Sequence, residues 1–125
     1  MNSGRILCVD DDCRINELNR IALSRLGYEV ETASSPTDAL ERLGAGRFDL
    51  VITDLFRPAA ADVEFLAKLR NLAPTIRIIL VSGDHDPPGE VLKQTDLFIE
   101  KAYSVSALTD SVRRMLNRDK IRRIG

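Results

Sequence analysis

Five short apolar runs, each trailed by a segment with helical spacing, constrain this chain more than any other feature. The runs are Arg5–Val9, Tyr28–Ala33, Leu50–Thr53, Ile76–Ser82 and Leu97–Ile99. Three are nearly continuous in Val, Ile and Leu, as strands are when helices cover both faces of their sheet. Between them, Ile15, Leu18, Ile21, Ala22 and Leu26 form one helical stripe, with Asp12 as N-cap and Gly27 as stop. Ser35-Pro36 opens a second helix, whose face is Ala39, Leu40 and Leu43 and which ends at Gly44 and Gly46. Val63, Leu66, Leu69 and Leu72 make a third stripe, halted before Pro74. A short helix is expected from about Gly89 to Gln94, and Ser104 caps a last one carrying Val105, Leu108, Val112, Met115 and Leu116. Five βα units in series imply an α/β fold with a doubly wound, five-stranded parallel sheet. Right-handed crossovers leave few topologies.

A chain of 125 residues that is 44% hydrophobic can bury a core as one domain over 1–125. Its core is expected over about 5–118, with 119–125 a basic tail. The net charge is only −1, without the basic excess of a dedicated nucleic-acid binder. Arg113, Arg114, Arg118, Lys120, Arg122 and Arg123 read as a solvated end to a helix, where cations suit the dipole. Nucleic-acid contact by this domain alone is not expected. Cys8 and Cys13 make no disulfide framework and have no second Cys or His at metal-ligand spacing. The one histidine, His85, lies in a Gly/Pro/Asp loop and reads as exposed. No apolar stretch approaches membrane-spanning length, and a cytoplasmic protein without a leader is expected.

In open α/β sheets, ligands bind beyond the carboxyl ends of the strands. Asp10, Asp11 and Asp12 follow the first run, Asp54 the third, Ser82 closes the fourth and Lys101 lies just past the fifth. Clustered carboxylates repel, and one of them resists ionisation unless a cation is present. Mg²⁺ resolves the conflict, since it takes one or two carboxylates, waters and a phosphate oxygen. Asp54 is then a candidate nucleophile for phosphoryl transfer, and the remaining catalysis is positioning and charge neutralisation by Lys101, Ser82 and the metal. Each residue alone has a plainer reading: Asp12 as a helix cap, Asp54 and Ser82 as turn residues, Lys101 as a surface lysine. Four strand ends agreeing at once favour the chemical one.

The segments Ile6–Asp12, Phe48–Leu55, Pro58, Ile79–Gly83 and Phe98–Lys101 resemble the response-regulator receiver family of two-component systems, from about Arg5 to Leu116. The resemblance implies a flavodoxin-like sheet of strand order 2-1-3-4-5 and a phosphoacceptor rather than a classical enzyme. Asp54 would be phosphorylated by a sensor histidine kinase or a histidine phosphotransfer protein. Asp10, Asp11, Asp54 and the backbone carbonyl of Phe56 would hold Mg²⁺. Lys101 would pair with the phosphate, and Ser82 would be the switch hydroxyl. Phe98 reads equally as a switch aromatic and as a core phenylalanine. The face of helix 4, strand 5 and helix 5 would bind a downstream effector. Phe56 and Asp84 would flank the phosphoryl group, and bulky Phe56 is expected to slow its loss.

Several positions depart from that pattern. Ala102 stands where the family has a cis proline after the lysine, and a cis bond there would cost about 3–4 kcal/mol. Arg57 precedes Pro58, and Ala60-Ala61-Asp62 replaces a Met-Asp-Gly run. Pro87 and Pro88 fall where the fourth helix normally runs, so that helix should be short or displaced. Two rivals stay open. One is a degenerate receiver that signals without phosphate. The other is a haloacid-dehalogenase-like phosphatase using the Asp-x-Asp of Asp10 and Asp12, although Arg14 and the chain's small size fit it poorly.

Overall fold

Side-chain alternation along the strands sorts this chain into two layers around one sheet. A computed structural model describes residues 3–124 except Arg57, Asp84, His85, Ala102 and Tyr103, with side chains as far as Asn117. The elements run β1 (Arg5–Val9), α1 (Cys13–Ser24), β2 (Glu29–Ala33), α2 (Pro36–Ala45), β3 (Leu50–Thr53), α3 (Ala59–Leu72), β4 (Arg77–Ser82), α4 (Gly89–Leu92), β5 (Leu97–Glu100) and α5 (Val105–Ile124). The five strands form one parallel sheet in the order β2-β1-β3-β4-β5. Both the α/β fold class and the strand order expected from the sequence are therefore observed.

Because successive residues of a strand face opposite ways, Leu7, Val9, Val51, Ile78 and Leu80 meet α2, α3 and α4 on one side. Ile6, Cys8, Leu50, Ile52, Ile79 and Val81 meet α1 and α5 on the other. Strands buried on both faces need apolar residues at every position, which explains their unbroken Val/Ile/Leu runs. Each fully buried Leu or Ile contributes about 1.5–3 kcal/mol relative to exposure.

The helices follow their start signals more closely than their stripes. Ser35 Oγ accepts from Asp38 N at 3.1 Å, with Pro36 in the first turn, and α2 runs from there as expected. Gly27 takes a φ of 102°, the left-handed region that glycine tolerates best, where the chain turns from α1 into β2. In α1 the expected stripe is rotated. Leu18 is 54% exposed and Ile21 38%, while Asn16, Asn19 and Leu23 face inward. The cause is polar: Asn16 Nδ2 donates to the carbonyls of Asp10 at 2.9 Å and Ala33 at 3.0 Å, joining the ends of β1 and β2. In α3, Phe65 is buried instead of Leu72, which is 52% exposed. Helix α4 is one turn, with Pro88 at its N-cap, as the two prolines foreshadow. Helix α5 continues to Ile124, through the segment that reads as a tail.

Candidate functional site

Four strand ends and the residues just past them build the site. Backbone bonds register them: Asp10 N donates to Ala33 O at 3.1 Å, Asp54 N to Val9 O at 3.0 Å, and Lys101 N to Ser82 O at 2.7 Å. Asp10 follows β1 and is 5% exposed. Its Oδ1 accepts from Asp12 N at 2.9 Å, so the turn into α1 holds the carboxylate in place. Asp12 itself caps α1 through a bond from Arg14 N at 2.9 Å, which settles it as a cap. Asp54 follows β3, and its Oδ1 accepts from Leu55 N at 2.7 Å. Lys101 spans the gap, with Nζ at 2.7 Å from Asp54 Oδ2 and 3.2 Å from Asp10 Oδ2.

Electrostatics follow from one ammonium among three acids. Burial raises the pKa of Asp10, and neither the Asp12 N–H nor the Lys101 charge fully offsets it. Burial works against the Lys101 ammonium, but its hydrogen bonds and charge contacts with Asp54 and then Asp10 prevail and raise its pKa. A carboxylate oxygen from each of Asp10, Asp11 and Asp54 lies within 4.8 Å of the others. Hard oxygen donors at that spacing, short of positive charge, fit a divalent cation such as Mg²⁺. Beneath them a cavity of about 10 Å³, room for one water, is lined by Asp10, Asn16, Thr53 and Asp54 among others. Asn16 Oδ1 is buried and has no hydrogen-bond partner among the described residues.

Asp10, Asp11, Asp54 and Lys101, four residues singled out from the sequence, thus come together. Ser82 is buried at the end of β4 and tied to Lys101 through the backbone. Phe98 sits on β5, half-buried against the α2–α4 core, beside Leu80 in the register. Phe56 lies in the β3–α3 loop, with its N–H bonded to Asp62 Oδ1 at 2.8 Å. Asp84 and Ala102, which bear on the sequence expectations, lie outside the described residues, as do Arg57 and His85. Two buried polar residues bonded to the main chain around the site escape a sequence reading: Asn16 and Asp62. An acid in the first turn after a proline is the available signal for Asp62.

Residues 6–113 match the response regulator receiver domain family. Response regulator MprA of Mycobacterium ulcerans is 30% identical over 123 residues, covering 95% of this chain and 53% of that protein. The chain spans about half or less of the length of the curated relatives it matches first. A CheY-like receiver domain protein from Methanospirillum hungatei superposes with a TM-score of 0.87 at 27% identity, over 97% of this chain and 99% of that one. Response regulator TrrA of Thermotoga maritima, crystallised with Mg²⁺ and BeF, superposes with a TM-score of 0.78 at 30% identity, over 90% and 98%. Strand order, acid cluster, bridging lysine and these likenesses converge, and the chain belongs to the response regulator receiver domain family, a signalling module of two-component systems.

Proposed function

We propose that this receiver domain is a phosphoacceptor in which Asp54 takes a phosphoryl group from the histidine of a sensor kinase or a histidine phosphotransfer protein. A carboxylate oxygen of Asp54 forms the new O–P bond as the N–P bond to the donor histidine breaks, and the histidine leaves with the N–P electron pair. Asp10, Asp11, Asp54 and the Phe56 carbonyl would hold Mg²⁺. When bound, it supplies positive charge to the phosphoryl oxygens and relieves the repulsion among the acids. Lys101 offers its ammonium to another phosphoryl oxygen, and the Ser82 hydroxyl donates to a third. What carries this reading is the meeting of three carboxylates within 4.8 Å and a lysine 2.7 Å from one of them. A receiver of similar fold crystallised with Mg²⁺ and BeF supports it.

Phosphorylation adds about −1.5 to −2 charges at an already acidic place. Ser82 and its loop follow the new oxygens, and Phe98 turns into the space released, reshaping the face of α4, β5 and α5 for an effector. The equilibrium shifts only by the difference in contacts between the two states. Bulky Phe56 beside the site slows loss of the phosphate. Among the described residues no helix is long and apolar enough to cross a membrane, and we place the domain's action in the cytoplasm.

Incubation with acetyl phosphate and Mg²⁺, followed by intact mass, tests the proposal. One phosphoryl adduct is expected, lost in Asp54→Asn and retained in Asp12→Asn. Labelling on Asp10 would point to phosphatase chemistry instead. No adduct, under conditions that label an ordinary receiver, would favour a module that signals without phosphate.

A further inference from the structure

The start of α3 departs from the usual way a helix satisfies its first N–H groups. Its N-cap is Pro58, which makes no side-chain cap bond. In a capping box an acid of the first turn reaches back to the N-cap N–H. Proline has none, and the Asp62 carboxylate reaches further, to Phe56 N at 2.8 Å. The turn is closed beneath it by Ala61 N and Asp62 N, which donate to Pro58 O at 2.9 and 3.2 Å. Asp62 is 3% exposed. A polar group so enclosed needs a hydrogen-bond partner, and a bond to a charged acceptor is about twice as strong as a neutral one.

Phe56 stands two residues past Asp54, on the strand of chain that leaves the phosphoacceptor. The two N–H groups that follow Asp54 go to different carboxylates: Leu55 N to Asp54 itself at 2.7 Å, and Phe56 N to Asp62. The first bond orients the nucleophile. The second fixes the next peptide group and commits its N–H away from the acid cluster. An N–H turned toward that cluster would repel a cation, whereas a committed one does not, and the bond anchors the main chain on the N-terminal side of the Phe56 carbonyl offered to the metal.

We propose that Asp62 is a positioning residue for the magnesium ligand set, acting through the Phe56 main chain; this rests on the phosphoacceptor reading above. Residues that hold metal ligands in place typically change metal affinity about 10–100-fold when removed. Titration of the full chain with MgCl₂ in a calorimeter is the test. Asp62→Ala is expected to raise the Kd for Mg²⁺ about tenfold. Asp62→Asn, which keeps an oxygen acceptor, is expected to stay within about threefold of the parent, because only the charge assistance is lost. A residue that merely stabilised α3 would lower the melting temperature and leave the affinity of the folded fraction unchanged.

The two proposals fail separately. A parent chain that binds Mg²⁺ and labels on Asp54 alongside an alanine variant of equal affinity overturns the role of Asp62 alone. A parent that binds no Mg²⁺ overturns both. Equal losses in the alanine and asparagine variants would assign the effect to charge and overturn positioning by the hydrogen bond. If the alanine variant does not fold, the parent still decides by amide exchange. A Phe56 amide as protected as those of the α3 interior, whose resonance moves on Mg²⁺ addition, supports the proposal; a freely exchanging one overturns it.

Discussion

Two clusters of charged side chains lie on this sheet, and they differ in kind. On the β2 edge, Arg42 Nη1 meets Glu31 at 3.2 Å, Arg42 Nε meets Asp38 at 3.2 Å, and Arg5 Nε meets Glu29 at 3.3 Å, while Arg5 also bonds Glu31. Two arginines there serve three acids, every side chain is partly open to water, and Arg5 also stacks on the Phe48 ring at 4.9 Å. At the carboxyl ends of the strands, one lysine bridges two of three clustered acids, and Asp10 is closed to solvent. The number of charges is similar; balance and burial are not. Water and two guanidiniums absorb the first cluster, whereas the second, partly buried and with one cation to three acids, keeps the larger surplus of negative charge, which another cation would neutralise. Residues selected for stability alone would not be arranged this way, and four changes probe the contrast.

Lys101→Ala should show the largest effect, because it removes the only described cation of the strand-end cluster. Labelling by acetyl phosphate is expected to fall on the order of a hundredfold, as when one preorganised charge-stabilising group is deleted. Stability without metal should drop by about 1–2 kcal/mol, less than for a fully buried pair because Lys101 is partly solvated. Labelling rates from intact mass and urea unfolding would check both. A variant that labels like the parent would erase the distinction between the clusters.

Asn16→Ala comes next. It leaves the buried Asp10 carbonyl without the 2.9 Å donor, while Ala33 O keeps its bond from Asp10 N. A loss of about 2 kcal/mol is expected, with slower labelling because the Asp10 backbone is released. Loss of stability at full labelling rate would show that the site does not depend on this tie.

Asp10→Asn should work in the opposite direction and stabilise the metal-free fold by about 1 kcal/mol, the common trade of function for stability. Burial raises Asp10 above its ordinary pKa, so between the unfolded and folded values the native state holds the extra proton. Stability from this group therefore falls as pH rises through that window. The advantage of the asparagine variant over the parent should grow as pH climbs out of the acid range and then level off. Urea unfolding across pH with EDTA measures it; an advantage that shrinks with rising pH would contradict the sign.

These residues differ in how far the sequence announces them. Asp54 and Lys101 are legible because each lies at or just past the end of an apolar run, and parallel strands deliver such residues to one edge. The start of α2 is legible because Ser35 and Pro36 act locally. Asn16 is not, because its role depends on the carbonyls of Asp10 and Ala33, 6 and 17 residues away in the chain. Once its amide takes them, α1 rotates and Leu18 and Ile21 face outward, against their apolar character. Asp62 is hidden for a similar reason: its partner lies across the proline, in a loop whose path the sequence does not specify. Local signals set where elements begin, and strand ends set where chemistry gathers. Buried polar ties join the two and appear only in three dimensions.

The smallest effect belongs to the β2 edge. Arg42→Ala breaks two ion pairs at once, which by count exceeds what any single change to Asp10 removes. Both pairs are half-exposed, Glu31 keeps Arg5 as a partner, and Asp38 still accepts from Ser34 N at 3.4 Å. Freed acids there simply rehydrate, at a cost of about 0.5 kcal/mol that salt should reduce further. Labelling of Asp54 and Mg²⁺ affinity should not change. A loss above about 2 kcal/mol, well beyond the range of exposed pairs, would mean that the edge network holds the sheet together. The contrast would then lie between a structural cluster and a chemical one, rather than between a solvated cluster and a strained one.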